Sequence, residues 1–431
     1  MGETIFALAS GRGRAGVAVL RLSGPRAGGA VAALAGGLPA PRLARLAALR
    51  DPGDGTVIDR ALVLWFPAPA SFTGEDVAEF HVHGGRAILN RLTVILGALG
   101  LRPAGPGEFT RRAFENGKLD LSQAEAIADL VDAETEAQRR QALRQLDGAM
   151  GRLYEAWRDR LKVLLARLEA LIDFPDEGLD EAIEGEVLAG TARLRDELAR
   201  HLADGHRGER LRDGFEIAIT GAPNVGKSSL LNRLAAAEVA IVSEIPGTTR
   251  DVIEVALDLG GYRVVLIDTA GLRETDDPIE REGVRRARQR AATADLRLHV
   301  VGPGDPAPGL KAGPETITVA NKADLGPGPA DAVPVSARTG AGIDRLLALI
   351  TARVAERLEP GEAPAITRAR HRLAVEEAVA ALERALSPLP LPAELRAEDL
   401  RLALRALGRV VGAVDVEDLL DVIFFEFCIG K

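Results

Sequence analysis

Gly221-Ala222-Pro223-Asn224-Val225-Gly226-Lys227-Ser228, preceded by the apolar run Phe215-Glu216-Ile217-Ala218-Ile219-Thr220, is the stretch on which the fold turns. Its spacing is that of a phosphate-binding loop. It also stands where such a loop must stand, after a buried strand and before a helix expected over 229–234. The glycines let backbone N–H groups turn inward around phosphates. Lys227 can then reach the β- and γ-phosphates, and the Ser228 hydroxyl is placed to hold Mg²⁺. The N-terminus of the next helix adds partial positive charge. A strand, loop and helix of this kind open an alternating β/α region, read here as 211–355.

Three motifs further along choose the base. Asp268-Thr269-Ala270-Gly271 ends a strand expected over 264–267, where the carboxylate can hold Mg²⁺ through water and Gly271 can turn toward the γ-phosphate. Asn321-Lys322-Ala323-Asp324 follows a strand expected over 316–320. Asp324 can accept from both N1–H and the exocyclic amine of guanine, a pair that adenine does not offer, while Lys322 packs along the base plane. Ser336-Ala337-Arg338 supplies a backbone suited to guanine O6. Buried polar groups left unpaired by the wrong base can discriminate by ~10⁴-fold. Guanine is therefore expected. The candidate nucleotide contacts are Asn224, Val225, Gly226, Lys227, Ser228, Ser229, Ser243, Thr249, Asp268, Thr269, Ala270, Gly271, Asn321, Lys322, Asp324, Ser336, Ala337 and Arg338.

These motifs resemble a translation-factor-class GTPase of the P-loop superfamily. Ras-like members place a water-orienting glutamine after Asp-x-x-Gly, and here that position is Leu272. Leucine cannot orient water or stabilise charge, so help must come from elsewhere. Asn224 offers a side-chain oxygen near the β/γ bridge, and Ser243-Glu244-Ile245-Pro246-Gly247-Thr248-Thr249-Arg250-Asp251 offers hydroxyls and carbonyls. Together they can cage a monovalent cation, with Thr249 as the Mg²⁺-binding threonine. Glu280 can orient water, and its bland alternative is a solvated charge on a helix face.

Flanking regions differ in pattern. Residues 1–118 read as mixed α/β, with strand-like runs at 17–22 and 61–66. From 119 the pattern is helical, and Met150, Leu153, Trp157, Leu161, Leu164, Leu168 and Leu171 form one stripe. Phe174-Pro175-Asp176-Glu177-Gly178 breaks it, and helix resumes to about 203. Beyond Pro360 two further stripes appear, Val375, Val379, Leu382 and Leu386, then Leu400, Leu404, Leu407 and Val411. The expected fold is multidomain α/β plus all-α: an N-terminal α/β domain (1–118), a discontinuous helical domain (119–210 and 356–431) and an inserted Ras-like P-loop GTPase domain (211–355).

Composition excludes some functions. Aromatics are only 3%, too few for a mechanism built on many base-stacking platforms, and the net charge of -9 argues against coating nucleic acid electrostatically. One cysteine excludes a disulfide framework within the chain. No apolar run reaches the ~20 residues of a membrane span. The start, Met1-Gly2-Glu3-Thr4-Ile5, lacks the marks of a signal peptide, so a soluble, cytoplasmic location is expected. Lysine occurs only at Lys118, Lys162, Lys227, Lys311, Lys322 and Lys431, which flags each for inspection.

The chain ends in Phe427-Cys428-Ile429-Gly430-Lys431. With Val19-Leu20-Arg21-Leu22-Ser23-Gly24, Ser71-Phe72-Thr73-Gly74-Glu75-Asp76, His83-Gly84-Gly85, Pro106-Gly107-Glu108-Phe109-Thr110, Asn116-Gly117-Lys118-Leu119-Asp120-Leu121 and Gly247-Thr248-Thr249-Arg250-Asp251, it resembles the TrmE-type family of bacterial tRNA modification GTPases. The resemblance implies a potassium-activated GTPase whose G domains dimerise across the nucleotide. Asn224, Ser243, Ile245 and Thr248 would be potassium ligands and Ser228 and Thr249 magnesium ligands. Glu280, Lys227 and Asn224 would be catalytic. The N-terminal domain would bind 5-formyltetrahydrofolate through Arg21, Glu79, Lys118 and Lys431 and support a homodimer. A FAD-dependent partner, MnmG (GidA), would join it in a heterotetramer acting on C5 of the tRNA wobble uridine. One departure is Gly11-Arg12, where the family commonly has a Pro-Pro pair.

Alternatives stand beside this reading. A ribosome-assembly or signalling GTPase would share the G domain without the modification chemistry, and a one-carbon transferase would use GTP as regulator. Gly11-Arg12-Gly13-Arg14-Ala15-Gly16 spells a dinucleotide fingerprint but precedes a strand instead of following one. His81 and His83 read as strand histidines. Cys428 is either a nucleophile or a buried thiol.

Overall fold

The computed structural model describes residues 2–11, 13–173, 181–204, 206–237, 240–241, 254–268, 292–305, 315–359, 364–389, 391–414, 417–425, 427 and 429–430. Two compact units emerge, residues 1–128 with 408–431, and residues 129–407.

The first unit is built on strands β1 (Ile5–Leu8), β2 (Ala15–Ser23), β3 (Arg45–Arg50), β4 (Val57–Phe66), β5 (Val77–Gly84) and β6 (Arg102–Pro103) in the order β3-β4-β5-β2-β1-β6. Helices α1 (Ala27–Ala35) and α2 (Arg86–Ala98) pack on β4 and β5, and α1 also meets β3. Alternation along the strands decides which residues face them. Ala18, Leu20 and Leu22 of β2 join Phe80 and Val82 of β5 in the core, so Arg21, Glu79 and His81 fall on the opposite face. Register completes the grouping, with Arg21 opposite Glu79 and Val19 opposite His81. Helices α3 (Glu108–Glu115) and α4 (Leu121–Val131) follow, and the C-terminal residues return to them: Leu420, Phe424 and Phe427 cluster with Leu121 and Ala124.

The second unit contains α5 (Glu136–Leu146), α6 (Ala149–Asp173), α7 (Glu181–Leu202) and α8 (Arg207–Asp213). After them comes a sheet of β7 (Phe215–Gly221), β8 (Ala240–Ile241), β9 (Glu254–Leu259), β10 (Tyr262–Asp268), β11 (Leu296–Val301), β12 (Glu315–Ala320) and β13 (Val333–Pro334). The order is β13-β12-β11-β7-β10-β9-β8, with β7 central and parallel to both neighbours, while at one edge β9 pairs antiparallel with both β10 and β8. Helix α9 (Lys227–Ala237) packs on β7, β9 and β10, and α10 (Ile343–Leu358) packs on α8 and α9. The chain is thus multidomain, with an α/β N-terminal part, a helical part and a P-loop sheet between helical segments. Helix α11 (Ala369–Ala385) packs against α7, joining helices on either side of the inserted sheet, and α12 (Ala393–Val411) and α13 (Glu417–Phe425) complete the chain.

Helix α5 begins with a capping box. Thr135 accepts from the Gln138 backbone, and the Gln138 side chain accepts from the Thr135 backbone, an arrangement worth ~1 kcal/mol. The stripe along α6 needs one correction: Tyr154, not Leu153, takes the core position, between Met150 and Trp157. Its hydroxyl is satisfied by His201 Nε2 at 3.2 Å, and the Trp157 ring lies 5.1 Å from the His201 ring. The segment 174–180 lies outside the described residues.

Burial among these rings holds the His201 imidazole down at about 4, below the ordinary 6.5. Below pH 6.5 the unfolded chain binds a proton that the folded chain refuses, so stability is lost as pH falls from 6.5 toward 4. The unfolding free energy from urea titrations followed by tryptophan fluorescence is expected to fall across that window by roughly 1–3 kcal/mol, and His201→Gln should flatten the dependence. An unchanged pH profile in the variant would remove His201 as its source.

Candidate functional site

The loop after β7 is held by its own backbone. Asn224 sits at φ +64° and Gly226 at +94°, left-handed conformations that turn the chain sharply. A Cβ on Gly226 would stand 2.4 Å from Asn321 Nδ2, so glycine is also required by close approach. Lys227 is buried, and its Nζ donates to the carbonyls of Gly221 (2.9 Å) and Ala222 (2.8 Å), which fixes the ammonium over the loop. Ser228 Oγ donates to Asp268 Oδ2 at 2.8 Å, so a hydroxyl from the first turn of α9 and a carboxylate from the end of β10 meet at one point.

The residues expected to read the base converge on the same loop. Asn321 is buried, and its Nδ2 donates to Val225 O (2.9 Å) while its Oδ1 accepts from Ala337 N (3.0 Å). Lys322, at φ +62°, sends its Nζ to Asn224 O at 2.8 Å. Asp324 Oδ1 accepts from Ser336 Oγ (2.5 Å), and Oδ2 accepts from Arg338 Nε (3.1 Å) and Nη2 (2.6 Å). The Ser336 hydroxyl first, and then the Arg338 guanidinium, hold the Asp324 carboxyl below its ordinary value. Ser229 is exposed at the start of α9, and Val225 buries its side chain in the core below the loop. Ser243, Ile245, Thr248, Thr249, Thr269, Ala270, Gly271 and Glu280 lie outside the described residues.

In the first unit, Arg21 Nε donates to Glu79 Oε1 at 3.0 Å, and His81 Nε2 lies 3.1 Å from Glu79 Oε2. The Arg21 guanidinium stands 5.6 Å from the Phe72 ring centroid and 5.9 Å from that of Phe109. Phe72 is held there by its loop: Ser23 Oγ bonds Thr73 Oγ1 (2.7 Å) and Glu75 Oε2 (2.6 Å), and Arg112 Nη1 donates to the same Glu75 oxygen (2.9 Å). Neighbouring Glu108 shows the balance of forces. Burial alone would raise its carboxyl, but Arg102, the Gly105 amide and Arg112 hold it at about 2. Lys118 is exposed, with its stem along Gly74. His83 pairs with Asp59 at 2.8 Å. Ile429 bridges Pro106, and a Cβ on Gly430 would stand 2.2 Å from Leu8 O, so the C-terminal residues run tightly against β1. Cys428 and Lys431 lie outside the described residues.

Residues 4–118 match the family model described as GTP-binding protein TrmE N-terminus, and residues 121–428 match the MnmE helical domain. The chain belongs to the MnmE family of tRNA modification GTPases. The tRNA modification GTPase MnmE of Rhodospirillum rubrum is 60% identical, covering 100% of this chain and 99% of that protein. Its counterpart in Parvibaculum lavamentivorans is 59% identical with full coverage of both chains, and that of Paramagnetospirillum magneticum is 58% identical, again over both in full. Among solved structures, the G domain of the Thermotoga maritima iron transporter FeoB (24% identical) aligns with 34% of this chain and 99% of its own at a TM-score of 0.25. As a member of the MnmE family this chain is a GTP hydrolase.

One residue that sequence reasoning missed is Arg233, half-buried on α9. Its Nε donates to Ala337 O (2.9 Å) and its Nη2 to Arg338 O (2.7 Å), which fastens the base-reading loop to the helix that follows the phosphate loop. With those carbonyls turned to Arg233, the adjoining N–H groups are directed away from it. Two such bonds are worth ~1–2 kcal/mol, so Arg233→Ala is expected to weaken GDP binding by about 5- to 30-fold. The turnover number kcat should barely change, and Arg233→Lys should recover part of the loss. A fall in kcat at unchanged GDP affinity would show that Arg233 acts on hydrolysis instead.

Proposed function

We propose that this chain is a potassium-activated GTP hydrolase acting in the C5 carboxymethylaminomethyl modification of the tRNA wobble uridine (U34). In this reading it works in the cytoplasm as a homodimer, with the FAD-dependent partner MnmG (GidA) in a heterotetramer and 5-formyltetrahydrofolate as one-carbon donor. The observation that carries the reading is identity of 58–60% over the full chain to proteins named tRNA modification GTPase MnmE. Exposed Leu46 and Leu62, directly opposite each other on β3 and β4, support a self-association surface.

Each residue then has a task. Backbone N–H groups of 224–229 and the Lys227 ammonium hold the β- and γ-phosphates. Asp324 reads the guanine edge, fixed in orientation by Ser336 and Arg338. Asn321 and Lys322 keep the base-reading loop in register with the phosphate loop. Glu280 orients the attacking water, since Leu272 cannot.

The donor sets suit the metals. Ser228 and Asp268 bring together oxygen donors of the kind Mg²⁺ prefers, with Thr249 as the further direct ligand. The Asn224 side chain is exposed and makes no hydrogen bond among the described residues, so its oxygen is available. Asn224, Ser243, Ile245 and Thr248 would hold potassium, which when bound supplies positive charge beside the β/γ-bridging oxygen. For the folate, Arg21 and Glu79 between Phe72 and Phe109 offer charge beside aromatic faces, a combination suited to a flat heteroaromatic acid, with Lys118 and Lys431 as further cations.

GTP turnover at equal ionic strength is expected to be at least ~10-fold faster in potassium than in sodium, and Asn224→Ala should erase the difference. Equal rates in the two salts would remove the cation from the mechanism. In cells lacking this chain, nucleoside analysis of wobble uridines should show loss of the C5 group. A Glu280→Ala copy should fail to restore it while binding GDP normally. Intact modification in the deleted cells would sink the assignment to U34.

A further inference from the structure

A cleft of about 530 Å³ lies in the second unit where the β9–β10 turn faces α5, the beginning of α6 and residues 364–367. This volume falls in the range of small-molecule pockets. None of its lining residues belongs to the nucleotide motifs. Four arginines line it, Arg140, Arg144, Arg152 and Arg207, against two acids, Glu136 and Asp147.

The partners of those arginines matter more than their number. Arg140 is spent on Glu136 at 2.7 Å. Arg152 Nη1 donates to the Asp147 carbonyl at 2.7 Å, and Arg207 Nη1 to the Glu359 carbonyl at 3.2 Å. A carbonyl fixes a guanidinium in place without neutralising it. Arg144 bonds nothing among the described residues. Among the described residues none of these three guanidiniums is paired with a carboxylate, so they outnumber the remaining lining acid, Asp147, and guanidinium forks match phosphate oxygens bidentately. Leu211, Tyr262 and Ala365 add apolar surface to the lining.

We propose that this cleft binds a small phosphorylated ligand of nucleotide size, its flat body against Tyr262 and its phosphates on Arg144, Arg152 and Arg207. The bounded volume favours such a molecule over a nucleic-acid backbone, which needs an open groove. The wall formed by Gly260, Gly261 and Tyr262 opens strand β10, and Ala137 N already donates to Gly261 O at 3.0 Å. A ligand seated here therefore adds a second fastening between that turn and α5.

The test uses the full chain with Mg²⁺ and saturating GDP, so that the guanine site is filled, and ADP as the calorimetric probe. One ADP per chain is expected, displaced by inorganic pyrophosphate. The double variant Arg144→Glu/Arg152→Glu should weaken ADP at least ~10-fold while GDP affinity and the circular dichroism spectrum stay unchanged. No saturable ADP binding up to about 1 mM would overturn the proposal, as would equal affinity in the variant. So would a short RNA that loses affinity in the variant while ADP binds neither form, because that result assigns the arginines to an RNA-contacting face. None of these outcomes bears on the potassium or wobble-uridine readings, which stand or fall on their own experiments.

Discussion

One buried carboxamide holds the nucleotide region together. Asn321 gives its N–H to the phosphate loop at Val225 and takes an N–H from the base-reading loop at Ala337, and almost none of it meets solvent. In that setting an unpaired amide is costly, so each loop fixes the position of the other. Lys322 repeats the tie from the outer side by bonding the Asn224 carbonyl. The loop 221–228 and the loops carrying Asn321 and Ala337 therefore behave as one object. Gly226 lacks a side chain because Asn321 already occupies the space where a Cβ would stand.

What could be read from the sequence follows from how far apart the partners lie along the chain. The phosphate loop was legible because its chemistry is contiguous, from Gly221 to Ser228, and the apolar run before it announced β7. Asp324 and Ser336 were legible as motifs, but the Arg338 guanidinium on Asp324 was not, because nothing in Ser-Ala-Arg says where the third side chain turns. Arg233 gave no signal at all. Its acceptors are backbone carbonyls 104 and 105 positions away, and any residue can supply a carbonyl. Tyr154 is not legible as core from the stripe alone, because the partner that satisfies its hydroxyl, His201, lies 47 positions away. The return of the C-terminus to the first unit was carried only by a family likeness, since Phe427 and Ile429 read simply as apolar residues.

The scarcity of lysine acquires a physical sense beside the arginine-rich remainder. Lys227 and Lys322 each place one ammonium on backbone carbonyls of the same loop, a task for a compact donor on a flexible stem. Arginine does the opposite work, with planar forks that hold two acceptors at once, as Arg233 and Arg102 do. Lys162 shows the unspecialised case, a surface pairing with Asp159 one helical turn away. Exposed pairs of that kind add little to stability.

Strand β10 is a measuring rod. It spans Tyr262–Asp268, clamped along its length between β7 and β9, and seven residues at ~3.3 Å each cover roughly 20 Å. One end is tethered through Gly261 to the capped start of α5, and the other carries the carboxylate that meets Ser228. A rod so clamped neither stretches nor bends easily. Its geometry sets a fixed distance between the helical body and the Asp268 carboxylate, so a push delivered at either tip arrives at the other undiminished in length.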